Sequence, residues 1–458
     1  MHVSIENNNI DWMWLWWGGT VALCLWKLIE AVVFRPMRLL EWPFVACTMW
    51  LYFFGYMAYK AKMTLSAYLG NNISEIGQLM DFLCLVGILA GWAVGTRVSV
   101  RATRTTPQNY PFLLCWLAGL VLVLLGAVGS YSVSRASDEG DLNFHTASAY
   151  WYLFYYVGYP GLAIALWAAL KSKSPVKWVL LGLTLAGMVV FLAPYLANAR
   201  RGPLYPAIII LLLVPPLTMR RPPNRLFYCG GLAAVAMTML LFLQIRVTIY
   251  NGGTWSEAFQ KLDVSDAVVD RGDDAFDNEY VNNCQLIGTV FQNGKYEYGT
   301  GHLELLVHWI PRALWPAKPE LGAGYYSNNE LFDDLERATG VRLLGYGASS
   351  AGVADSFLQY GVLCPLFWFV ISFAMGVVYL KAIRSATPWW MFCYVSFLSS
   401  SHWLISQSFT AEFVPLMYFL VVPVALLLFL KLHARFTRPV PRMGPRPTSH
   451  LISQPTAT

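Results

Sequence analysis

Apolar runs recur along this chain, and many are long enough to cross a lipid bilayer. A helix needs about 20 predominantly apolar residues to span the ~30 Å hydrocarbon core. Backbone groups in lipid must be bonded within the segment, so such runs are helices and not open strands. Eleven segments qualify, near residues 12–34, 43–59, 76–96, 111–131, 149–170, 176–197, 203–219, 226–245, 352–380, 388–406 and 412–432. Composition agrees: 57% of the 458 residues are hydrophobic, 13% are charged, and mean hydropathy is +0.47. A soluble domain carries roughly 25% charged residues. The 19 Trp and 25 Tyr suit aromatic belts at both interfaces. The chain reads as an all-α integral membrane protein. Its first segment opens with WMWLWWGGT, has Lys27 and Glu30 near its far end, and reads as a retained helix rather than a cleaved signal. The segment holding Pro203, Pro206 and Pro215 reads as short, and as broken or re-entrant.

Orientation follows from Lys and Arg in the short loops. Arg35 and Arg38; Arg97, Arg101 and Arg104; Lys171, Lys173 and Lys177; Arg220, Arg221 and Arg225; and Lys381 and Arg384 alternate correctly with eleven spans. That side is expected to be cytoplasmic and the N-terminus outside, with Lys60 and Lys62 as outer-side exceptions. The division is then 1–245 for eight spans, 246–350 for one long outer loop, 351–432 for three spans, and 433–458 for a basic, proline-rich cytoplasmic tail. The loop carries eight Lys and Arg against fifteen Asp and Glu, net −7; the rest carries 24 against 11, net +13. The overall +6 is thus a product of membrane topology and argues for contact with membrane lipid, not nucleic acid.

Only Cys284 of the eight cysteines lies in the loop, so no disulfide can form within it. No zinc spacing, CxxC, HExxH, GxGxxG or P-loop is present, and no cofactor or metal is expected. No internal repeat stands out. Asp274–Gln292 reads as an amphipathic helix, with Phe276, Tyr280, Cys284, Ile287 and Phe291 at helical spacing. Gly301–Trp309 reads as a short helix, and Asn328–Gly340 as a third, opened by an Asn cap and closed by a glycine.

Between the last two helices lies HWIPRALWPAKPELG, His308 to Gly322. Prolines 311, 316 and 319 stiffen the backbone and preset the cations Arg312 and Lys318. Arginine's planar fork suits a phosphate, and lysine adds a point charge. Trp309 and Trp315 can stack on sugar faces or anchor at headgroup depth. Arg200 and Arg201, in ANARRGPLYP, and Arg246, at the end of the eighth span, lie on the same side. Each has a plainer reading as well, since arginines at span ends also meet lipid phosphates. Glu304 and His308 are four apart and share a helix face, although a lone histidine is more often structural than catalytic.

IPRALWPAKP resembles the PR-x-x-WP-x-KP signature of the bacterial oligosaccharide repeat-unit polymerases, the Wzy-type O-antigen polymerases. YGASSAGVADSFLQYGVLCPLFWFVISFAMG is similar to that family's re-entry into the membrane, with Asp355 where glutamate is expected, and ARRGPLYP resembles its arginine–glycine element. The resemblance covers loosely Arg200 to Gly376. It implies a GT-C-like polytopic enzyme in the bacterial inner membrane. Such an enzyme transfers a growing glycan from polyprenyl pyrophosphate to a fresh lipid-linked unit at the outer face, with a chain-length regulator or flippase as conceivable partners. The chemistry implied needs cations at the leaving pyrophosphate and a base near the acceptor hydroxyl. On this reading Arg312 and Lys318 bind pyrophosphate, helped by Arg200, Arg201 and Arg246. Asp355 is the first candidate for base or acceptor orienter, beside Gly347, Gly352 and Ser356; Glu304, Glu279 and His308 follow. Its plainer role is a charge complementing a helix N-terminus. Two alternatives stand beside it: a ligase of the same broad architecture that moves finished polymer to another acceptor, and, in a different class, a glycan transporter with no chemistry of its own. For a transporter the ionisable candidates near span interiors are Lys27, Glu30, Asp81 and Glu412.

Overall fold

The computed structural model describes residues 11–65, 71–98, 111–138, 148–173, 175–198, 202–262, 278–308, 315, 351–385 and 388–436. Among the described residues the regular structure is helical, with no strand. In chain order the helices are α1 (Trp12–Ile29), α2 (Trp42–Trp50), α3 (Met57–Thr64), α4 (Asn71–Gly95), α5 (Phe112–Asp138), α6 (Ser148–Lys171), α7 (Val176–Ala197), α8 (Leu204–Met219), α9 (Arg225–Tyr250), α10 (Trp255–Gln260), α11 (Glu279–Asn293), α12 (Thr300–His308), α13 (Gly352–Tyr360), α14 (Cys364–Arg384), α15 (Trp389–Ser406) and α16 (Phe409–Phe436). Five stretches are long and apolar enough to cross a membrane: Trp12–Phe34, Ile73–Gly95, Phe112–Arg135, Val176–Ala197 and Gly352–Arg384. Leu204–Met219 and Phe413–Leu426 are apolar but shorter. This is the make-up of an α-helical membrane protein.

The proline-rich α8 corrects one expectation, because it is a single unbroken helix. Pro203 is its N-cap and Pro206 lies in its first turn, where the missing N–H is one that no helix would satisfy. Pro215 and Pro216 fall near its far end, and the chain turns off at Arg220, which adopts a left-handed conformation (φ 52°). Arg220 then donates to the Ser385 carbonyl at 2.8 Å, tying α8 to the end of α14.

In lipid there is no hydrophobic drive between helices, so close packing falls to small residues. α4 carries Gly87, Gly91 and Gly95 at intervals of four, and all three face α14. A Cβ on each would lie 2.4, 2.2 and 2.3 Å from the carbonyl oxygens of Pro365, Phe369 and Phe373. Only glycine lets the two backbones meet there. α5 and α6 use the same device, with Gly119, Gly126 and Gly129 against Gly161, Gly158 and the backbone at Phe154 and Tyr155.

The 246–350 segment is not wholly peripheral, which is a second correction. α9 continues past its expected end to Tyr250. α11 is no surface amphipathic helix: every residue from Tyr280 to Val290 is buried, including Asn282, Asn283, Gln285 and Thr289. It docks on the half of α4 that α14 leaves open. Gly77 of α4 receives Cys284, and Gly288 of α11 receives Ile73. Two asparagines, the N-cap Asn278 and Asn283, find partners in the bundle. The Asn278 amide donates to the Met57 carbonyl at 3.2 Å, and the Asn283 amide donates to Asp81 at 3.1 Å. After the last predicted span, the predicted tail begins late, since α16 runs to Phe436. The predicted helix Asn328–Gly340 lies outside the described residues. The outer-side exception Lys62 forms an ion pair with Asp11 at 2.8 Å.

Candidate functional site

Three helix ends meet at Asp355: the first turns of α12, α13 and α16. α13 starts abruptly at Ala351, whose φ of 62° and ψ of 151° lie where L-residues rarely sit. Such backbone costs about 1–3 kcal/mol and persists only where its surroundings enforce it. The enforcement is visible next door: a Cβ on Gly352 would come 1.7 Å from the Leu404 carbonyl oxygen of α15. On the other side, Ala354 N–H donates to Asn283 Oδ1 at 3.0 Å. The same Asn283 amide holds Asp81, so one side chain links α4, α11 and the first turn of α13.

Asp355 Oδ2 accepts from His302 Nε2 at 3.2 Å and from Phe409 N–H, the first residue of α16, at 2.9 Å. A carboxylate can only accept, so His302 donates from Nε2, and its Nδ1 lies in hydrogen-bond contact with the Tyr360 hydroxyl at 3.0 Å. The result is a chain from Tyr360 through His302 to Asp355. The imidazole is buried and boxed by the rings of Tyr360, Phe367 and Phe409, with centroids 5.4, 5.0 and 4.8 Å away. The N-terminus of α16 points at the carboxylate, which itself lies in the first turn of α13, an arrangement suited to negative charge. Asp355 Oδ1 has no hydrogen bond among the described residues, and the side chain keeps 14% of its exposure. One oxygen is therefore fixed and the other is open.

α12 is stitched to α13 just before His302. Glu297 N–H donates to the Leu358 carbonyl at 3.0 Å, and the Gln359 amide donates to the Glu297 carboxylate. Gly301 gives this pair room, since a Cβ there would lie 2.6 Å from Gln359 Nε2. α12 then leads directly into the Arg312–Lys318 segment.

In comparisons with known proteins, no family model, curated protein or solved structure matches this chain.

Of the residues predicted from sequence, Asp355 is the one whose surroundings are drawn in full. Glu304 and His308 lie on α12 as predicted, but their side chains are outside the described ones. Arg200, Arg201, Trp309, Arg312 and Lys318 are outside the described residues. Trp315 is exposed. Glu279 opens α11, one turn before Asn283. Arg246 is exposed near the end of α9, which packs on α10. Trp255 of α10 donates to the Ala197 carbonyl at the end of α7 at 3.1 Å. Among the ionisable span residues, Lys27 pairs with Glu30 and Asp81 with Asn283; the Glu412 side chain is outside the described ones. Sequence reasoning missed His302, Tyr360 and Asn283. Among the described residues no three His, Cys, Asp or Glu side chains gather as a metal site.

Proposed function

We propose that this protein polymerises polyprenyl-pyrophosphate-linked oligosaccharide repeat units by glycosyl transfer at the outer face of a bacterial inner membrane. The observation that carries the reading is the Asp355 carboxylate, with one oxygen locked by His302 and Phe409 N–H and the other open, where His302 sits on the short helix that leads into a proline-stiffened pair of cations. The proposed topology has eleven spans, the N-terminus outside and the basic tail in the cytoplasm, which puts Asp355 on the outer side.

In the proposed reaction the acceptor hydroxyl of a fresh unit attacks the anomeric carbon of the growing chain. The bond from that carbon to the pyrophosphate oxygen breaks, and the hydroxyl proton passes to Asp355 Oδ1. His302 is a positioning residue that holds the other carboxylate oxygen, and Tyr360 contacts its Nδ1. Negative charge develops on the leaving pyrophosphate, where preset cations stabilise it best. Arg312 and Lys318 take that role, with Arg200, Arg201 and Arg246 as further contributors. Trp309 and Trp315 supply faces for sugar rings.

The test is deletion of the gene, followed by sizing of lipid-linked glycans and surface polymer. Single repeat units without a ladder are expected. Long polymer stranded on carrier lipid would instead mean a ligase, and a normal surface ladder would remove the protein from polymer assembly.

A further inference from the structure

A second gathering of ionisable groups lies at the other end of the bundle. Lys27, Glu30, Arg38, Glu41 and Arg97 line one cavity of about 180 Å³, floored by apolar residues that include Trp92. Local folding builds it. α1 runs into a π-helical turn at Glu30–Phe34, closed by Arg35 N–H donating to the Glu30 carbonyl at 2.9 Å. Turns of this kind recur at functional sites. A 3-10 turn at Pro36–Leu40 then folds Arg38 back, so that the Glu30 carboxylate takes Lys27 on one oxygen at 3.0 Å and Arg38 on the other. Arg225 pins the π turn by donating to the Val33 carbonyl at 2.7 Å. Across the cavity, Glu41 accepts from the Trp92 indole at 3.2 Å. Burial pushes the Glu41 carboxyl up, which reduces the negative charge the cavity holds. Arg97, exposed at the end of α4, has no ion-pair partner among the described residues.

The cavity thus holds three cations against two carboxylates, and one carboxylate is already shared by two of the cations. Such a surplus at a helix end calls for an anion. Its flank is apolar: Trp26 and Ile29 at the end of α1, and Val33 and Phe34 on the π-helical turn, are 59%, 48%, 50% and 65% exposed. A charged mouth beside an apolar wall fits an amphiphile. Basic pockets between membrane helices hold anionic headgroups on these terms.

We propose that this cavity seats the phosphate of an anionic phospholipid, with Arg97 as its main ligand, spare N–H groups of Arg38 and Lys27 beside it, and the acyl chains along Trp26–Phe34. This site is independent of the glycosyl-transfer reading.

The test uses the full chain purified in detergent. It is titrated with dioctanoyl phosphatidylglycerol, dioctanoyl phosphatidylcholine or inorganic phosphate, with retained ligand counted by native mass spectrometry. One phosphatidylglycerol should be retained where phosphatidylcholine and phosphate are not. Arg97→Ala should weaken it roughly fivefold and Arg97→Glu about thirtyfold, taking near-surface cations at their usual strength. Arg384→Ala, on the same face but outside the cavity, should leave it unchanged. Equal retention by the wild type and Arg97→Glu would overturn the site. Equal retention of the two lipids, or inorganic phosphate that binds as tightly and displaces the lipid, would overturn the lipid assignment.

Discussion

Along half its length α4 touches α14 through bare backbone; along the other half it holds α11 through side-chain hydrogen bonds. The first contact is glycine against carbonyl oxygen at Gly87, Gly91 and Gly95. It needs no matched partner, only the absence of a side chain. The second depends on particular groups: Asp81 with Asn283, Asn283 with Ala354 N–H, and Gly77 opposite Cys284. The glycine half builds scaffold. The polar half brings a segment of the long polar loop into the bundle and orients the turn that carries Asp355. One helix therefore separates what must be rigid from what must be placed.

Breaking the glycine half should cost most. Gly91→Leu would drive side-chain atoms into the Phe369 backbone, a loss of about 3 kcal/mol or more, seen as loss of monodisperse protein and a lower thermal midpoint. A folded Gly91→Leu variant with unchanged midpoint would refute the backbone contact. Asn283→Leu tests the other half. It strands Asp81 and Ala354 N–H, at about 1–3 kcal/mol for each unsatisfied group, and should free α11 while α4 and α14 stay joined. Cys284 reports this directly. Burial pushes its thiol pKa up, so in the wild type the thiol stays protonated to higher pH and reacts slowly. A thiol reagent at neutral pH should leave wild-type Cys284 unlabelled and label it in Asn283→Leu, as quantified by peptide mass spectrometry; equal labelling would mean that these bonds do not hold α11. His302→Gln should leave the fold intact and lower polymer output by about ten- to a hundredfold, the cost of a misplaced group. Smallest is Asp11→Asn, which removes the ion pair to Lys62 for about 1 kcal/mol or less; a larger drop in midpoint would give the N-terminus a role in docking α11.

Helix placement was legible in the sequence because apolar length decides it, and α12 fell where its pattern put it. The glycine stripe was also there to be read, since Gly87, Gly91 and Gly95 repeat at the spacing that lets membrane helices touch. α11 was misread for a physical reason. Asn282, Asn283 and Gln285 look like a solvent face until Asp81, 202 residues from Asn283, is known to be its partner. Likewise, nothing local distinguishes His302 from His308. What selects His302 is its surroundings, with Phe367 and Phe409 arriving from distant helices. α8 was expected to break because it holds prolines, but their positions within the helix decide the outcome, not their number.

The most direct test replaces the wild-type gene with Asp355→Asn and sizes lipid-linked and surface glycans at matched protein level. An amide keeps the volume and can still accept from His302 and Phe409 N–H, but it cannot take a proton from the acceptor hydroxyl. The account predicts accumulated single repeat units, with ladder synthesis reduced by about 10²–10⁴. A wild-type ladder from that strain would contradict it.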